Sequence, residues 1–313
     1  MNVIEISGLT KNYQVGFLRK TEKTALKNLD LDVSEGEIFG YLGPNGAGKT
    51  TTLKLLMGLM YPTAGSARVL GKPIGDPEAK RAIGFLPEQP YFYDYLTARE
   101  LLGYYAALSG VPAKERTRRT ETMLDKVGLS QSADTQLRKF SKGMLQRVGI
   151  AQAIIHDPKV VFLDEPMSGL DPIGRREVRD LIQGLNDEGK TVFFSTHILS
   201  DAEALCDRVA VLHQGELRGI GVVAELLAGA SGKVEIVWEG PATALQTMCS
   251  KAKTAGAVTR AVIAEKQTDD AVAAIRQAGG RLKSLTPVQG SLEEYFLSNI
   301  GRPSESATGV TTS

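Results

Sequence analysis

The segment Tyr41–Leu59, YLGPNGAGKTTTLKLLMGL, constrains the fold of this chain more than any other stretch. A short apolar run, Ile38–Leu42, leads into three glycines within six residues, and a leucine-rich helical pattern, Thr50–Met60, follows them. Glycine lets the backbone take positive φ and brings successive N–H groups close to an oxyanion, and the N-terminus of the following helix adds further donors. The segment therefore predicts a strand, a phosphate-binding loop and a helix in direct succession.

The loop itself fits the pattern G-x-x-x-x-G-K-S/T of a P-loop, which binds nucleotides. In this pattern Lys49 supplies a cation for the β- and γ-phosphates, and the Thr50 hydroxyl is a ligand of Mg²⁺. The alternative is a glycine-rich turn without a chemical role, which the flanking strand and helix disfavour. We expect the following residues to bind nucleotide: Gly43, Pro44, Asn45, Gly46, Ala47, Gly48, Lys49, Thr50 and Thr51.

A second strand, Val160–Asp164, ends in a carboxylate, and Glu165 follows at once. The carboxyl end of a parallel strand faces the crevice where ligands bind. We expect Asp164 to hold Mg²⁺ through its coordinated waters, and Glu165 to activate the water that attacks the γ-phosphate. His197 directly follows another apolar strand, Thr191–Thr196. At this position we favour a hydrogen bond from His197 to the γ-phosphate and to this water over a purely structural role.

Apolar strands alternate with helical patterns along most of the chain, which predicts an α/β fold with a parallel sheet covered on both faces. The alternating segment Leu26–Val33 predicts an antiparallel strand with one wet face. After about Ala230 the chain becomes richer in alanine. We therefore expect a main domain at 1–229, a small α+β domain at 230–300 and a disordered polar tail at 301–313.

Charge and composition exclude several classes of partner. The chain has 37 basic and 36 acidic residues, so it lacks the basic excess of a nucleic-acid-binding or membrane-surface protein. Its two cysteines, Cys206 and Cys249, lie far apart, which predicts free thiols in a reducing compartment. Neither a signal-peptide pattern nor an apolar run of about 18 residues is present. We expect a cytoplasmic protein that reaches a membrane only through a partner.

Several further motifs occur in a recognisable order. Because of these motifs, roughly the first 225 residues of the chain resemble the ATP-binding subunit of an ABC transporter. The motifs are Tyr13 in KNYQ, the P-loop, Gln89 in LPEQP, FSKGMLQR at 140–147, the Asp164–Glu165 pair, SGLDP at 168–172 and His197 in STHILSDAEALCDRV. The resemblance implies a P-loop NTPase of the ABC ATPase cassette type, with a mixed sheet core and antiparallel β and helical subdomains. It also implies that ATP hydrolysis drives transport through a separate membrane permease.

The resemblance assigns roles to these residues. Tyr13 would stack on adenine, and Gln89 would reach Mg²⁺ and sense the permease, so that Thr50, Gln89 and Asp164 form the metal set. Two copies, or this chain and a paralogue, would sandwich two ATP molecules head to tail. In that arrangement Ser141 and Gly143 complete the ATP site of the other subunit.

The signature FSKGM departs from the usual L-S-G-G-Q at Phe140, Lys142 and Met144 and keeps Ser141 and Gly143. Similar Ser-Lys-Gly-Met variants are familiar in exporter-type members, so the resemblance favours export, with import as the alternative. A non-transport ABC protein is disfavoured because the chain has a single P-loop, no heptads and no basic excess. A GTPase or P-loop kinase is disfavoured because N-K-x-D is absent and a kinase needs no signature.

Four aromatic residues crowd into Tyr91–Tyr95 directly after Gln89. Such density in a short loop predicts an exposed apolar patch that awaits a partner. By resemblance that partner is a short cytoplasmic helix of the permease. A satellite core beneath the helical part of the domain is the alternative.

Overall fold

The computed structural model describes residues 1–15, 21–229, 232–245, 248–249, 252–288 and 290–300. Within them the chain forms two compact units, Met1–Gly221 and Val222–Ser298. The helix Val223–Gly229 groups with the second unit. The domain boundary at 229 remains a prediction, and the tail at 301–313 lies outside the described residues.

The elements of the first unit alternate between strands and helices. The strands are β1 (Asn2–Val15), β2 (Thr21–Ser34), β3 (Ile38–Leu42), β4 (Ala64–Val69), β5 (Lys72–Pro73), β6 (Ile83–Leu86), β7 (Val160–Asp164), β8 (Thr191–Thr196), β9 (Arg208–His213) and β10 (Glu216–Val222). The helices are α1 (Lys49–Leu56), α2 (Pro77–Arg81), α3 (Ala98–Leu108), α4 (Ala113–Lys126), α5 (Lys142–Ile154), α6 (Pro172–Asp187) and α7 (Leu199–Leu205).

Two sheets organise this unit. The larger has the order β10-β9-β3-β8-β7-β6, and its pairs from β9 through β6 are parallel. The smaller has the order β2-β1-β4-β5 and is antiparallel. On β2 the apolar residues Leu26, Leu29, Leu31 and Val33 are buried while most of the residues between them are exposed, so the expected wet face is confirmed. The mixed α/β fold predicted from the motifs is confirmed.

The middle of the larger sheet is an apolar core that fixes the ends of its strands. Every residue of β3, β7 and β8 is buried, as expected for parallel strands covered on both faces. The Phe193 ring lies 5.4 Å from that of Phe39 and 5.7 Å from that of Phe162, which ties the three strands together. Tyr41 Oη lies 3.1 Å from Thr52 Oγ1 and so links β3 to α1, and burial raises the pKa of Tyr41.

The second unit is a small α+β structure, as the sequence predicts for the C-terminal segment. It comprises α8 (Val223–Gly229), β11 (Lys233–Glu239), β12 (Lys253–Ala255), β13 (Val258–Ala264), α9 (Thr268–Gln277), β14 (Arg281–Val288) and α10 (Leu292–Ile300). Its antiparallel sheet has the order β12-β13-β11-β14. Trp238, Ile236 and Ile275 are buried in its core, and Cys249 of this unit and Cys206 of the first are both free thiols.

Candidate functional site

The phosphate-binding loop runs from the end of β3 to the start of α1 and depends on glycine at defined points. Gly46 and Gly48 have φ of 80° and 115°, a region that favours glycine. A Cβ on Gly48 would lie 2.6 Å from the Ala25 carbonyl oxygen, and one on Gly43 would collide with that of Leu212. Larger residues are therefore excluded because neighbouring backbone lies against the loop.

Lys49 is the first residue of α1, and its ammonium group is buried inside the loop. Nζ donates to the carbonyl oxygens of Gly43 at 2.6 Å and Pro44 at 3.3 Å. It also lies 3.1 Å from Glu165 Oε1, and both side chains are only 6% exposed. The contact with Oε1 has ion-pair distance but not hydrogen-bond geometry, so within the described residues this buried oxygen has no hydrogen-bond partner.

Asp164 is held at the carboxyl end of β7 by the neighbouring strand. It pairs with Ser195 in the parallel register of β7 and β8. The Ser195 hydroxyl donates to Asp164 Oδ1 at 2.5 Å and accepts from the Glu165 backbone N–H at 3.1 Å. One serine therefore positions both acidic residues, a role that sequence reasoning missed because it depends on the register of distant strands.

Glu165 has a left-handed backbone, with φ of 50°. Such a conformation costs a non-glycine residue about 1–3 kcal/mol and is characteristic of functional sites. Glu165 Oε2 lies 2.8 Å from His197 Nδ1, and the His197 side chain is 40% exposed. With the proton on Nδ1, His197 donates to the carboxylate and keeps Nε2 as an acceptor. The two predicted catalytic residues are thus in direct contact.

A cavity of about 770 Å³ lies over the loop. The described residues that line it are Tyr13, Gln14, Lys23, Thr24, Ala25, Asn45, Gly46, Gly48, Lys49, Thr50, Thr51, Glu88 and Glu165. The Tyr13 hydroxyl lies 3.4 Å from Thr51 Oγ1 and 3.3 Å from Met60 Sδ, which ties the predicted adenine-stacking residue to the segment after the loop. The volume suits a small organic ligand.

The structure brings most of the predicted nucleotide-binding residues to this cavity. Glu88 and Gln89, in the segment after β6, are both exposed, and of the two only Glu88 is among the described residues that line the cavity. Gln89 as a ligand of Mg²⁺ stays a prediction. Pro44 and Ala47 are adjacent in sequence to residues that line the cavity, and His197 contacts Glu165, which lines it.

Ser141 and Gly143 line a separate cavity of about 330 Å³, which shares no described lining residue with the first. Ser141 is the N-cap of α5, where its hydroxyl accepts from the Met144 N–H at 3.3 Å. Lys142 lies against Gly169, which has φ of 66°. Within one chain, the signature residues are therefore not part of the cavity that contains Lys49.

The residues present fit a nucleotide with Mg²⁺. Neighbouring backbone leaves no room for larger side chains at Gly43 and Gly48 of the loop. Lys49 offers a buried cation, and Glu165 has a buried oxygen without a hydrogen-bond partner among the described residues. Thr50 and Asp164 offer the oxygen atoms that Mg²⁺ prefers. The described residues include no group of three or more His, Cys, Asp or Glu arranged to hold a metal ion.

Comparison with known proteins decides the family. A family model described as ABC transporter matches residues 26–168. An ABC transporter ATP-binding protein of Synechocystis is 45% identical over 314 residues, covering 100% of this chain and 87% of that protein. The chain belongs to the ABC transporter family. It is an ATP-binding subunit of that family and an ATPase.

Two further proteins, a relative of known name and a solved structure, are similar to this ABC subunit. A fluoroquinolones export ATP-binding protein of Mycobacterium tuberculosis is 39% identical over 249 residues, covering 78% of this chain and 79% of that protein. A solved dimeric ATP-binding cassette in a post-hydrolysis state with ADP and Pi is 29% identical, with a TM-score of 0.64. It covers 70% of this chain and 98% of the cassette.

Subunits of this family dimerise and work with a membrane permease. Among the described residues of this chain, no helix combines the length and the apolar character needed to cross a bilayer.

Proposed function

We propose that the chain powers export of a substrate through a separate membrane permease. The M. tuberculosis relative is named as an export protein, which supports this direction. The signature, which keeps Ser141 and Gly143 around Lys142, also favours an exporter-type subunit. Import by a similar assembly is the alternative. The chain would act at the cytoplasmic face of the cell membrane, and the permease would bind the substrate.

The contact series Lys49–Glu165–His197 is the observation that carries the proposed mechanism. Lys49 Nζ lies 3.1 Å from one oxygen of Glu165, and His197 Nδ1 lies 2.8 Å from the other. A triphosphate bound by the loop amides attracts Lys49, because the phosphates carry more charge than one carboxylate. Glu165 then loses its ion-pair partner and can accept a proton from the attacking water, while the contact with His197 holds the Glu165 carboxylate in place.

Thr50 and Asp164 are the proposed holders of Mg²⁺. Bound there, Mg²⁺ would neutralise the charge on the phosphoryl group during transfer. Ser195 fixes Asp164 through its hydroxyl, so the carboxylate keeps its direction without a bound ion. Tyr13 lines the same cavity, which supports the proposed stacking of its ring on adenine.

A second ATP-binding subunit is part of the proposal because the two cavities are separate. Ser141 caps α5 and faces a cavity that does not include Lys49. Donors at the start of this helix would favour a phosphate that comes from another chain. Two subunits placed head to tail would therefore share two ATP molecules, each held by Lys49 of one and Ser141 of the other.

The proposed docking site for the permease is the tyrosine patch, defined here as Tyr91, Tyr93, Tyr95 and Tyr104. These side chains are 92%, 47%, 60% and 45% exposed. The Tyr93 ring lies 5.9 Å from that of Tyr95 and 6.4 Å from that of Tyr104. Phe92 instead is half-buried and approaches Gly149 of α5, so one aromatic residue anchors the loop and the tyrosines remain for a partner.

The experiment that tests this function uses Glu165→Gln with ATP and Mg²⁺. We expect an ATP-bound dimer by size-exclusion chromatography with light scattering, together with little phosphate release. Lys49→Ala is the control and should stay monomeric, because it lacks the cation that holds the phosphates. Turnover by Glu165→Gln near the wild-type rate would show that Glu165 is misassigned. Stimulation of turnover by the permease would then test coupling.

A further inference from the structure

The Tyr13 ring is anchored at its hydroxyl group. Tyr13 Oη lies 3.4 Å from Thr51 Oγ1 and 3.3 Å from Met60 Sδ, so the end of β1 is tied to α1 and to the segment after it. The side chain is partly buried and lines the cavity that contains Lys49. A ring fixed in this way offers a ready surface to a ligand, because little side-chain freedom is lost on binding.

Lys11 lies over one face of this ring. Its Nζ is 5.5 Å from the ring centroid, within the range of about 6 Å for a cation–π contact. The same Nζ donates to the Tyr61 carbonyl oxygen at 2.7 Å, which fixes the cation in place. Tyr13 is among the described residues that line the cavity, and Lys11 is not. The cation therefore covers the face turned away from the cavity, and the opposite face is left for a ligand.

The charge of Lys11 acts on the ring because no carboxylate cancels it within the part of the chain that the structure describes. There the polar contacts of its ammonium group are the neutral Tyr61 carbonyl and the Tyr13 ring. A cation over one face draws the π electrons of the ring toward it, which lowers their repulsion with a second π-system on the other face. Every nucleobase has such a π-face.

We propose that Lys11 is a positioning residue for the base of the bound nucleotide and acts through Tyr13. It covers the far face of the ring and makes the near face a better surface for stacking. This inference rests on the proposed function, in which Tyr13 stacks on adenine. It assigns Lys11 to the base and Lys49 to the phosphates, so loss of Lys11 weakens only the binding of ligands that carry a base.

The test compares ATP with tripolyphosphate, which has the phosphate chain without a base. Isothermal titration calorimetry of the full chain in EDTA measures ATP binding, and displacement of bound ATP measures the affinity for tripolyphosphate. Lys11→Met keeps the length of the side chain and removes its charge. It should bind ATP about two- to fivefold more weakly, as expected for loss of a cation–π contact at a partly exposed site. Its affinity for tripolyphosphate should equal that of wild type.

Turnover measurements and two further variants make the result specific. In Lys11→Met the KM for ATP should rise while kcat stays unchanged, because the base takes no part in phosphoryl transfer. Lys11→Arg keeps a cation over the ring and should keep ATP affinity within about twofold of wild type. Lys27→Met removes a lysine that is paired with Glu216 at 3.0 Å and does not line the cavity, and it should change neither affinity.

The outcomes separate this inference from the proposed function. Equal losses of ATP and tripolyphosphate affinity in Lys11→Met would show that Lys11 acts on the phosphates or on the fold, and would overturn the inference. Unchanged ATP affinity in Lys11→Met would overturn it alone if Tyr13→Ala still binds ATP more weakly than wild type. If Tyr13→Ala binds ATP as well as wild type, the proposed stacking of Tyr13 on adenine falls as well.

Discussion

The buried contact between Lys49 and Glu165 predicts that Glu165→Gln tightens nucleotide binding as well as blocking turnover. Their charged atoms lie 3.1 Å apart, and both side chains are 6% exposed. With an effective dielectric constant of about 20, the Coulomb attraction at this distance is about 5 kcal/mol. Desolvation offsets part of this energy, so the net cost of separating the pair is smaller.

A nucleotide must overcome that attraction before its phosphates can engage Lys49. In Glu165→Gln the attraction is absent, while Lys49 keeps its carbonyl acceptors at Gly43 and Pro44. If only about 1.4 kcal/mol of the pair energy is recovered, affinity rises tenfold. We therefore expect ADP to bind Glu165→Gln at least about tenfold more tightly than wild type.

Isothermal titration calorimetry with ADP in EDTA is the suitable assay. ADP lacks the terminal phosphoryl group that a second subunit would contact, so its affinity reports on a single cavity. Glu188→Gln is the matched control: it removes a carboxylate that is paired with Lys126 at 2.5 Å and does not line the cavity. Equal or weaker ADP binding by Glu165→Gln would refute the idea that nucleotide displaces this ion pair.

Three further predictions concern positions around the site. Ser195→Ala should lower ATP turnover about tenfold or more, because a hydrogen bond to the charged Asp164 is worth roughly 1.5–3 kcal/mol. Gly143→Ala should keep or raise the free energy of unfolding in urea by up to about 1 kcal/mol, since no atom outside its helix lies within 4 Å of the added Cβ, yet lower ATP turnover. Burial lowers the pKa of His156, whose Nε2 lies 3.0 Å from the Ile83 carbonyl oxygen. The stability that neutral His156 contributes is therefore full above about pH 6.5 and is lost as the pH falls through the folded-state pKa. In thermal unfolding at pH 7.5 and 5.5, His156→Gln should lose less stability on acidification than wild type.

Each of these predictions has an outcome that would count against it. Wild-type turnover in Ser195→Ala would mean that Asp164 keeps its direction without the serine. A fall in the stability of Gly143→Ala would show that the start of α5 tolerates no added methyl group. Unchanged ATP turnover in this variant would show that Gly143 does not lie at the interface between subunits. An identical loss of stability on acidification in His156→Gln and wild type would assign that loss to other groups.

Local patterns explain why much of the site could be read from the sequence. The strands at Ile38–Leu42, Val160–Asp164 and Thr191–Thr196 have the predicted bounds, because short apolar runs between breakers leave few alternatives. Helix α1 was expected to reach Met60 but ends at Leu56, because Gly58 has φ of 61° and packs closely against other backbone.

What the sequence could not supply depends on register and on side-chain direction. The Ser195 hydrogen bonds follow from the pairing of β7 with β8, which joins residues some thirty positions apart. The left-handed backbone of Glu165 has no signal in its residue type, since glycine and asparagine are the usual residues there. The approach of Phe92 to Gly149, while the neighbouring tyrosines stay exposed, likewise depends on side-chain direction.

A complementation assay tests most directly whether each ATP site is built from two chains. Lys49→Ala and Ser141→Ala are expected to be inactive separately, because the first lacks the cation for the phosphates and the second lacks the donor offered to the partner's nucleotide. In a mixture, chains with Ser141→Ala keep Lys49 and chains with Lys49→Ala keep Ser141, so each mixed pair contains one complete site. The account predicts that ATP hydrolysis by the mixture rises well above that of either variant. Hydrolysis that never exceeds the average of the two would contradict it.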